Sequence, residues 1–189
     1  MKKYNIIYAD CPWDYGNTKN LNGEYWGMAD KHYNVMDFES IKRLAVQSFC
    51  ANDCYLFLWI TSPFLEKSFE IINFWGFKFA TVGFVWIKMK NDMSEVRGDG
   101  LGKYTISNAE YCLIGRKGKY RRESKSVKQI ILGPKEKHSK KPDETRKRIV
   151  KLVGDIPRIE LFARERIEGW DAWGDEIDSD IVLDKPFIL

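Results

Sequence analysis

The sequence predicts an α/β protein in which helices flank a mostly parallel β-sheet. Residues 54–60, CYLFLWI, form a continuous apolar run, which is typical of a strand buried on both faces of its sheet. Runs of this kind alternate with segments of helical pattern, and that alternation favours parallel strand order. The chain of 189 residues is long enough for one such domain with a hydrophobic core, so we expect a single domain over residues 1–189.

Five strands are predicted from apolar runs that are bounded by polar residues or glycine. Ligands of parallel α/β sheets bind at the carboxyl ends of the strands. Asp10 follows the first strand and Arg164 follows the last, so we expect both side chains to face the same crevice. In chain order, the predicted strands cover residues 5–9, 54–60, 77–88, 110–115 and 158–162.

Three helices are predicted between these strands. Asp37 is suited to cap the first helix. Ser62 and Pro63 have the types expected at the N-cap and first position of the second helix, and Gly76 is the type expected at its end. A third helix is predicted from residue 142 to about residue 153.

The charge is unevenly distributed along the chain. The formal net charge is +4, but residues 116–151 contain 15 Lys and Arg against four Asp and Glu. A basic stretch of this density suits the phosphate backbone of a nucleic acid, and residues 116–141 are the predicted contact region. A solvated, lysine-rich surface is an equally good interpretation of the charge alone.

The sequence also bears on location and on metal binding. Asp10 interrupts the first apolar run before it reaches the length of a signal peptide, and no stretch has the length of a membrane span. The four cysteines form no CxxC pair and there are only two histidines, so we expect no metal site. Buried, reduced thiols and a cytoplasmic location without membrane contact are predicted.

Residues 10–13, Asp-Cys-Pro-Trp, directly follow the first predicted strand and combine three useful groups. The carboxylate and a backbone carbonyl accept hydrogen bonds, the proline fixes the turn, and the tryptophan offers a flat face. The exocyclic amine of adenine is a poor nucleophile because its lone pair is delocalised. An enzyme that modifies this amine must accept hydrogen bonds from it and hold the base flat, outside its stack. A strand-end turn around a buried tryptophan is the structural alternative.

This tetrapeptide resembles the D-P-P-W motif of the MT-A70 family of adenine-N6 methyltransferases. Further blocks resemble the family's motifs in the family's order, and together they cover about residues 4 to 177. These blocks are HYNVM at 32–36, YLFLWIT at 55–61, SNAEYCLIG at 107–115, HSKKPDE at 138–144, ELFAR at 160–164 and GWDAWGDE at 169–176. The overall similarity is to bacterial or phage members.

The resemblance implies a Rossmann-like methyltransferase fold with permuted motif order, in which the catalytic motif comes first and the cofactor strand comes late. It also implies the methyl donor S-adenosylmethionine and a reaction that needs no metal. The absence of a G-x-G-x-x-G segment that opens a helix agrees with this, since the family's cofactor strand carries E-L-F-A-R instead.

Site roles follow from the resemblance position by position. Asp10 and the carbonyl of Cys11 or Pro12 would accept hydrogen bonds from N6, and Trp13 would stack on the base. Asp10 also belongs to the implied cofactor site. The remaining implied cofactor residues are Lys141 near the methionine carboxylate, Glu160, Phe162 and Arg164 on and after the cofactor strand, and Asp175 and Glu176 at the ribose hydroxyls. Tyr33 and Asn108 would lie near the acceptor base.

Several structural alternatives accompany these roles. Lys141 can be a surface charge at the start of a helix, and Glu160 can be a structural ion-pair partner. Cys11 stands where the family usually has proline, which loosens the turn and brings a thiol close to an alkylating cofactor.

Three functions are therefore weighed. The first is an adenine-N6 methyltransferase acting on DNA, favoured by the similarity to compact bacterial and phage members. The second is the same reaction on RNA. The third is a nucleic-acid-binding subunit that has lost catalysis. A bacterial or phage-infected cell is the expected setting, and a dimer or a partner subunit is left open.

Overall fold

Seven strands form one mixed sheet in the computed structural model, which describes residues 2–14, 35–99, 102, 104–119, 121–136 and 140–183. The strands are β1 (Tyr4–Asp10), β2 (Cys50–Ile60), β3 (Lys78–Met89), β4 (Ala109–Lys117), β5 (Ile130–Pro134), β6 (Arg158–Leu161) and β7 (Asp171–Trp173). Three helices flank them: α1 (Phe38–Lys42), α2 (Leu65–Phe74) and α3 (Glu144–Val153).

The strand order across the sheet is β5-β3-β4-β2-β1-β6-β7. The pairs β1–β2, β1–β6, β6–β7 and β3–β5 are parallel, and β4 runs antiparallel to both of its neighbours. The predicted α/β class with a mostly parallel sheet is therefore confirmed. Strand β1 comes first in the chain yet lies between β2 and β6, as the permuted motif order requires.

All five predicted strands are present, and two further strands were missed. Strand β5 lies inside the basic stretch, where five residues of strand type give a weak signal. Strand β7 has only three residues, Asp171–Trp173, within the GWDAWGDE block. Both are edge strands of the sheet, and edge strands are shorter and less apolar than central ones.

The helix ends agree with the sequence prediction except at one position. Asp37 caps α1, since its side chain accepts a hydrogen bond from the Ser40 N–H at 2.9 Å. Gly76 follows α2 with a φ of 80°, which favours glycine. The prediction for Ser62 is wrong: a 3₁₀ turn over Ser62–Phe64 precedes α2, and no side chain caps either element.

The helices cover the two faces of the sheet and create two apolar clusters. On one face α1 and α2 pack against β1 and β2, and the cluster includes Ile41, Ile72 and Leu58. On the other face α3 contributes Ile149 to a cluster with Trp59 and others. In the part of the chain that the structure describes, no helix has the length and apolar character needed to cross a bilayer.

The sheet divides the basic stretch between its two ends. Strand β4 is antiparallel to β2, and Arg116 pairs with Tyr55 whereas Tyr111 pairs with Ile60. Asp10 pairs with Trp59, four residues beyond Tyr55, so Arg116 lies towards the opposite end of the sheet, about 13 Å from Asp10 along the strand direction. Strand β5 returns the chain to the Asp10 end. Of the predicted phosphate-contact region, residues 116–141, only the last part therefore lies beside Asp10.

Candidate active site at the carboxyl ends of the central strands

Asp10 is the last residue of β1 and lies at the centre of the carboxyl edge of the sheet. It pairs with Trp59 of β2, and the preceding Ala9 pairs with Leu161 of β6. Because β6 ends at Leu161, Phe162 lies beside Asp10. The predicted crevice between the ends of these two strands is present.

Two cavities open at this edge, with volumes of about 240 Å³ and about 750 Å³. Asp10, Phe162, Arg164 and Glu176 line both of them. The Asp10 carboxylate is therefore placed between two adjoining spaces, which is where a group that acts on two bound molecules is needed.

Asp10 belongs to a chain of alternating charges. The Lys141 Nζ donates to the Asp10 Oδ2 at 2.8 Å and lies 3.1 Å from the Glu110 Oε2. The other oxygen of Glu110 lies 2.6 Å from the Lys88 Nζ. Lys141 is only 9% exposed, which excludes the alternative of a surface charge at a helix start. The structure thus brings Asp10 and Lys141 together, and Lys141 is held by two carboxylates of the protein.

Burial and pairing set the protonation of these groups. Burial raises the pKa of the Asp10 carboxyl, and Lys141 offsets only part of the rise. Burial disfavours charge on Lys141 too, yet Asp10 and Glu110 outweigh it and hold the pKa of Lys141 above its usual value. Burial is also the largest influence on Glu110, but Lys141 and Lys88 hold the pKa of its carboxyl below its usual value.

The turn after Asp10 is fixed by backbone hydrogen bonds. The Cys11 carbonyl accepts from the Trp13 N–H, and the Pro12 carbonyl accepts from the Met36 N–H, both at 2.9 Å. Each carbonyl oxygen has a second lone pair, so each retains the capacity to accept one further hydrogen bond. The bridge between Trp13 and Met36 also ties the turn to the segment before α1.

Trp13 packs into the core instead of standing open to solvent. It is 4% exposed, and its ring stacks on Phe64 with centroids 4.8 Å apart and planes at 18°. One face of the indole is thereby occupied. The structural alternative for this turn, a buried tryptophan, describes what the structure shows, and stacking on a base would have to use the other face or the ring edge.

Cys11 is buried, and its thiol is held in the neutral form. Burial raises the pKa of Cys11, and the nearby Asp10 carboxylate raises it further. The thiolate is the nucleophilic form of cysteine, so the thiol at this position has little reactivity towards an alkylating group.

Glu160 and Arg146 form a buried pair at the floor of the larger cavity. The Arg146 Nε donates to the Glu160 Oε2 at 2.7 Å, and Nη2 donates to Oε1 at 2.8 Å. Both oxygens of Glu160 are therefore engaged, as the structural alternative for this residue anticipated. Arg146 also lies over the Tyr8 ring, 5.7 Å from its centroid, and so supports the floor of the cavity.

The smaller cavity has an aromatic wall and an acidic rim. Phe162 and Trp173 are in edge contact, with ring centroids 5.3 Å apart. Asp175 and Glu176 line the rim, and the Arg164 Nε lies 4.0 Å from the Glu176 Oε1. A Cβ at Gly174 would lie 2.0 Å from the Ala163 carbonyl oxygen, so only glycine allows these backbones to approach this closely. The cavity can hold a flat ring against the aromatic wall and hydroxyl groups against the carboxylates.

Of the two residues expected near the acceptor base, the structure describes Asn108. Asn108 lies just before β4, where its carbonyl accepts from the Lys88 N–H at 2.9 Å and its side-chain amide donates to the Arg97 carbonyl at 3.3 Å. Asn108 is thus joined through Lys88 to the charge chain that ends at Asp10. Tyr33 lies outside the described residues.

Sequence analysis assigned no role to Glu110, Lys88 or Arg146. Glu110 lies within the SNAEYCLIG block. A carboxylate inside an apolar strand indicates a buried ion pair, since a buried charge is costly unless it is paired. Its partners come from other strands and from the segment before α3, so no spacing in the sequence identifies them.

The mixed seven-stranded sheet, with β4 antiparallel and an acidic turn at the end of its central strand, has the architecture of a Rossmann-like α/β methyltransferase. The chain belongs to the MT-A70 family, whose family model matches residues 4–176.

The sequence identity between this chain and individual relatives differs within the family. The type II methyltransferase M.MunI of Mycoplasma sp is 36% identical over 191 residues, which cover 93% of this chain and 78% of the relative. The human N(6)-adenosine-methyltransferase catalytic subunit METTL3 is 26% identical, over all of this chain but 30% of the relative. An MT-A70-like N(6)-adenosine-methyltransferase of Arabidopsis thaliana is 25% identical, over 93% of this chain and 24% of the relative. The chain therefore spans less than a third of these two eukaryotic proteins.

Proposed function

We propose that this chain transfers a methyl group from S-adenosylmethionine to N6 of adenine in DNA, with Asp10 as the group that acts on the amine. The observation that carries the proposal is the position of the Asp10 carboxylate, between two cavities and bound to Lys141. The cofactor supplies the methyl group on a positively charged sulfur, which is an electrophile. The protein has to orient and polarise the amine.

Asp10 accepts a hydrogen bond from N6 and increases the electron density on that nitrogen. The raised pKa of Asp10 suits it to take up the proton that N6 loses when the new bond forms. Lys141 positions the carboxylate and keeps it ionised before reaction. The carbonyl of Cys11 or of Pro12, each of which has a second lone pair, accepts a hydrogen bond from the second N6 proton.

The smaller cavity fits the cofactor by the chemistry of its lining. We propose that Asp175 and Glu176 accept hydrogen bonds from the ribose hydroxyls and that Phe162 contacts the cofactor beside Asp10. Arg164 follows the same strand and lies along the cofactor. Glu160 borders the adjoining cavity but its oxygens are engaged by Arg146, so its role in the cofactor site is to hold the floor.

The base site is proposed at the turn of residues 10–13 and at Asn108. Trp13 supports the turn from the core, because its ring is stacked on Phe64. Asn108 and Tyr33 are carried over from the family motifs, and the backbone of Asn108 is bonded to that of Lys88.

DNA is the proposed substrate on the strength of the relatives. Identity to M.MunI is 36% over most of its length, against 25–26% to the N(6)-adenosine-methyltransferases. The type II designation belongs to the naming of DNA modification enzymes, whereas adenosine is a ribonucleoside. RNA is the second candidate, favoured by the names of the eukaryotic relatives. A subunit without catalysis is the third, and the intact pair of Asp10 and Lys141 argues against it.

A side-by-side methyl-transfer assay tests the proposal. The protein is incubated with labelled S-adenosylmethionine and single-stranded DNA, duplex DNA or RNA, and the nucleosides are then separated by chromatography. We expect label in N6-methyldeoxyadenosine. Label only in N6-methyladenosine would select RNA. Absence of label on all three, from protein that binds the cofactor, would contradict an active site of this kind and leave the inactive subunit.

A further inference from the structure

We infer that exposed cations in the segment before β5 and directly after it bind the phosphate backbone that flanks the target base. The inference rests on the proposed function and states where the rest of the nucleic acid lies. The cations are called the basic track and are Arg121, Arg122, Lys125, Lys128 and Lys135.

One end of the basic track is at the candidate active site. Lys135 lines the larger cavity together with Asp10. It directly follows β5, whose last residues pair in parallel with the end of β3: Gly133 with Lys88, and Pro134 with Met89. Lys88 begins the charge chain that reaches Asp10, so the position of Lys135 relative to the catalytic carboxylate is fixed by the sheet.

The other end of the basic track is at the far end of α3. The backbone N–H groups of Glu123 and Ser124 donate to the Leu152 carbonyl, at 2.8 and 3.3 Å, in the last turn of that helix. The first turn of α3 follows Lys141 at the cavity, where the Thr145 N–H donates to the Pro142 carbonyl. Ten helical residues extend about 15 Å. Arg121 and Arg122 are therefore about 15 Å away from the cavity.

The middle of the basic track is held to α3 by Arg148. This side chain donates to the backbone carbonyls of Lys128 and Ile130, at 2.8 and 2.6 Å, and pairs with Glu144 at 3.0 Å. The Lys128 side chain is left exposed by these contacts. A backbone fixed in this way presents its cations at constant spacing, as a row of phosphates requires.

The side chains of the basic track are available for a ligand. All five are exposed, and none makes an ion pair with a residue in the described ranges. Glu123 and Glu136 are the acidic residues that interrupt residues 121–136. Phosphates along one strand of duplex DNA are about 3.4 Å apart in rise, so the roughly 15 Å of the track matches about four base-pair steps beyond the cavity. We therefore expect contacts with flanking phosphates that carry no sequence information.

Salt-dependent binding tests the inference separately from catalysis. Fluorescence anisotropy of a labelled 24-base-pair duplex is measured at several salt concentrations for wild type, for Arg121→Ala/Arg122→Ala, and for the control Arg43→Ala/Lys67→Ala. The control removes two exposed cations on the α1 and α2 side of the sheet. Each lost phosphate contact lowers the slope of log affinity against log salt by about 0.9, so the test variant should lose about two and the control none. A single-stranded DNA and an RNA of equal length show which backbone is held.

Steady-state kinetics then connect the basic track to the reaction. On the same duplex, Arg121→Ala/Arg122→Ala should raise KM about tenfold with kcat within twofold of wild type. An unchanged salt slope and an unchanged KM in this variant would overturn the inference, and so would equal losses in the control. The salt slope can change as expected although neither the wild type nor the variants transfer methyl groups. In that case the proposed function fails while the backbone contact stands.

Discussion

The Nζ of Lys141 lies 2.8 Å from a carboxylate oxygen of Asp10, although 131 positions separate the two residues in the chain. The same Nζ lies 3.1 Å from Glu110, which is held in turn by Lys88. Because Lys141 lies between two carboxylates, the pKa of Asp10 depends on both neighbours: Lys141 lowers it and Glu110 raises it. The predictions below follow from this arrangement and from the packing around it.

Asp10→Asn keeps the shape of the side chain and removes its charge. Because the amide accepts less strongly and takes up no proton, we expect kcat to fall roughly 10²- to 10⁴-fold. Cofactor binding, measured by calorimetry, should change much less. The matched control is Asp155→Asn, an exposed carboxylate at the other end of the sheet. Near-normal turnover by Asp10→Asn would remove Asp10 from the mechanism.

The reaction should depend on pH through Asp10. The ionised form is the active one, so activity is present above the pKa of Asp10 and is lost as the pH falls through it. Because burial raises this pKa, the acid limb of kcat/KM should lie above the ordinary aspartate value of about 3.8. A limb at or below that value, measured in constant ionic strength, would contradict the raised pKa.

Glu110→Gln should move that acid limb to lower pH. Glu110 raises the pKa of Asp10, and its removal also leaves Lys141 to pair with Asp10 alone. A purely structural role would lower activity at every pH without moving the limb. Glu66→Gln, on the exposed side of α2, is the control and should leave the limb in place.

Trp13→Ala should destabilise the fold more than it affects any single step of the reaction. The indole is buried and stacked on Phe64, and removal of such a ring costs about 3–5 kcal/mol. Trp13→Phe should recover most of this loss in a urea titration. If Trp13→Ala is as stable as wild type, the ring is not part of the core.

The cysteines should not react with thiol reagents in the native protein. All four, Cys11, Cys50, Cys54 and Cys112, are buried. We expect a colorimetric thiol reagent to detect none of them promptly in buffer and all four in denaturant. Rapid native labelling that maps to Cys11 would mean that this thiol is accessible and ionised, against the burial that raises its pKa.

The central part of the fold was predictable because its signals are local. The apolar runs of β1, β2 and β6 are each bounded by polar residues, and Asp37 and Gly76 mark helix ends by their own chemistry. Strand order was not predictable in this way. No local pattern states that β4 lies antiparallel between β3 and β2, or that β5 forms a short edge within a basic stretch.

The same distinction applies to the site. Asp10 and Arg164 were predictable as residues of one crevice, since both follow parallel strands. The link from Asp10 through Lys141 to Glu110 was not, because it joins a strand end, a segment before α3 and an antiparallel strand. The burial of Trp13 was one of two interpretations of the sequence, but its packing partner was not predictable, because Phe64 comes from a 3₁₀ turn in a segment predicted as the start of a helix.

The central position of β1 has a consequence for how the protein is made. Ile6 near the start of the chain pairs with Arg158, which the ribosome adds almost a full chain length later. Until then one edge of the most buried strand has no partner within the nascent polypeptide, and an open strand edge invites wrong pairing. The acidic turn leaves the ribosome before β6, and its surroundings are completed only when β6 inserts beside it, so synthesis stopped before that strand yields an incomplete site.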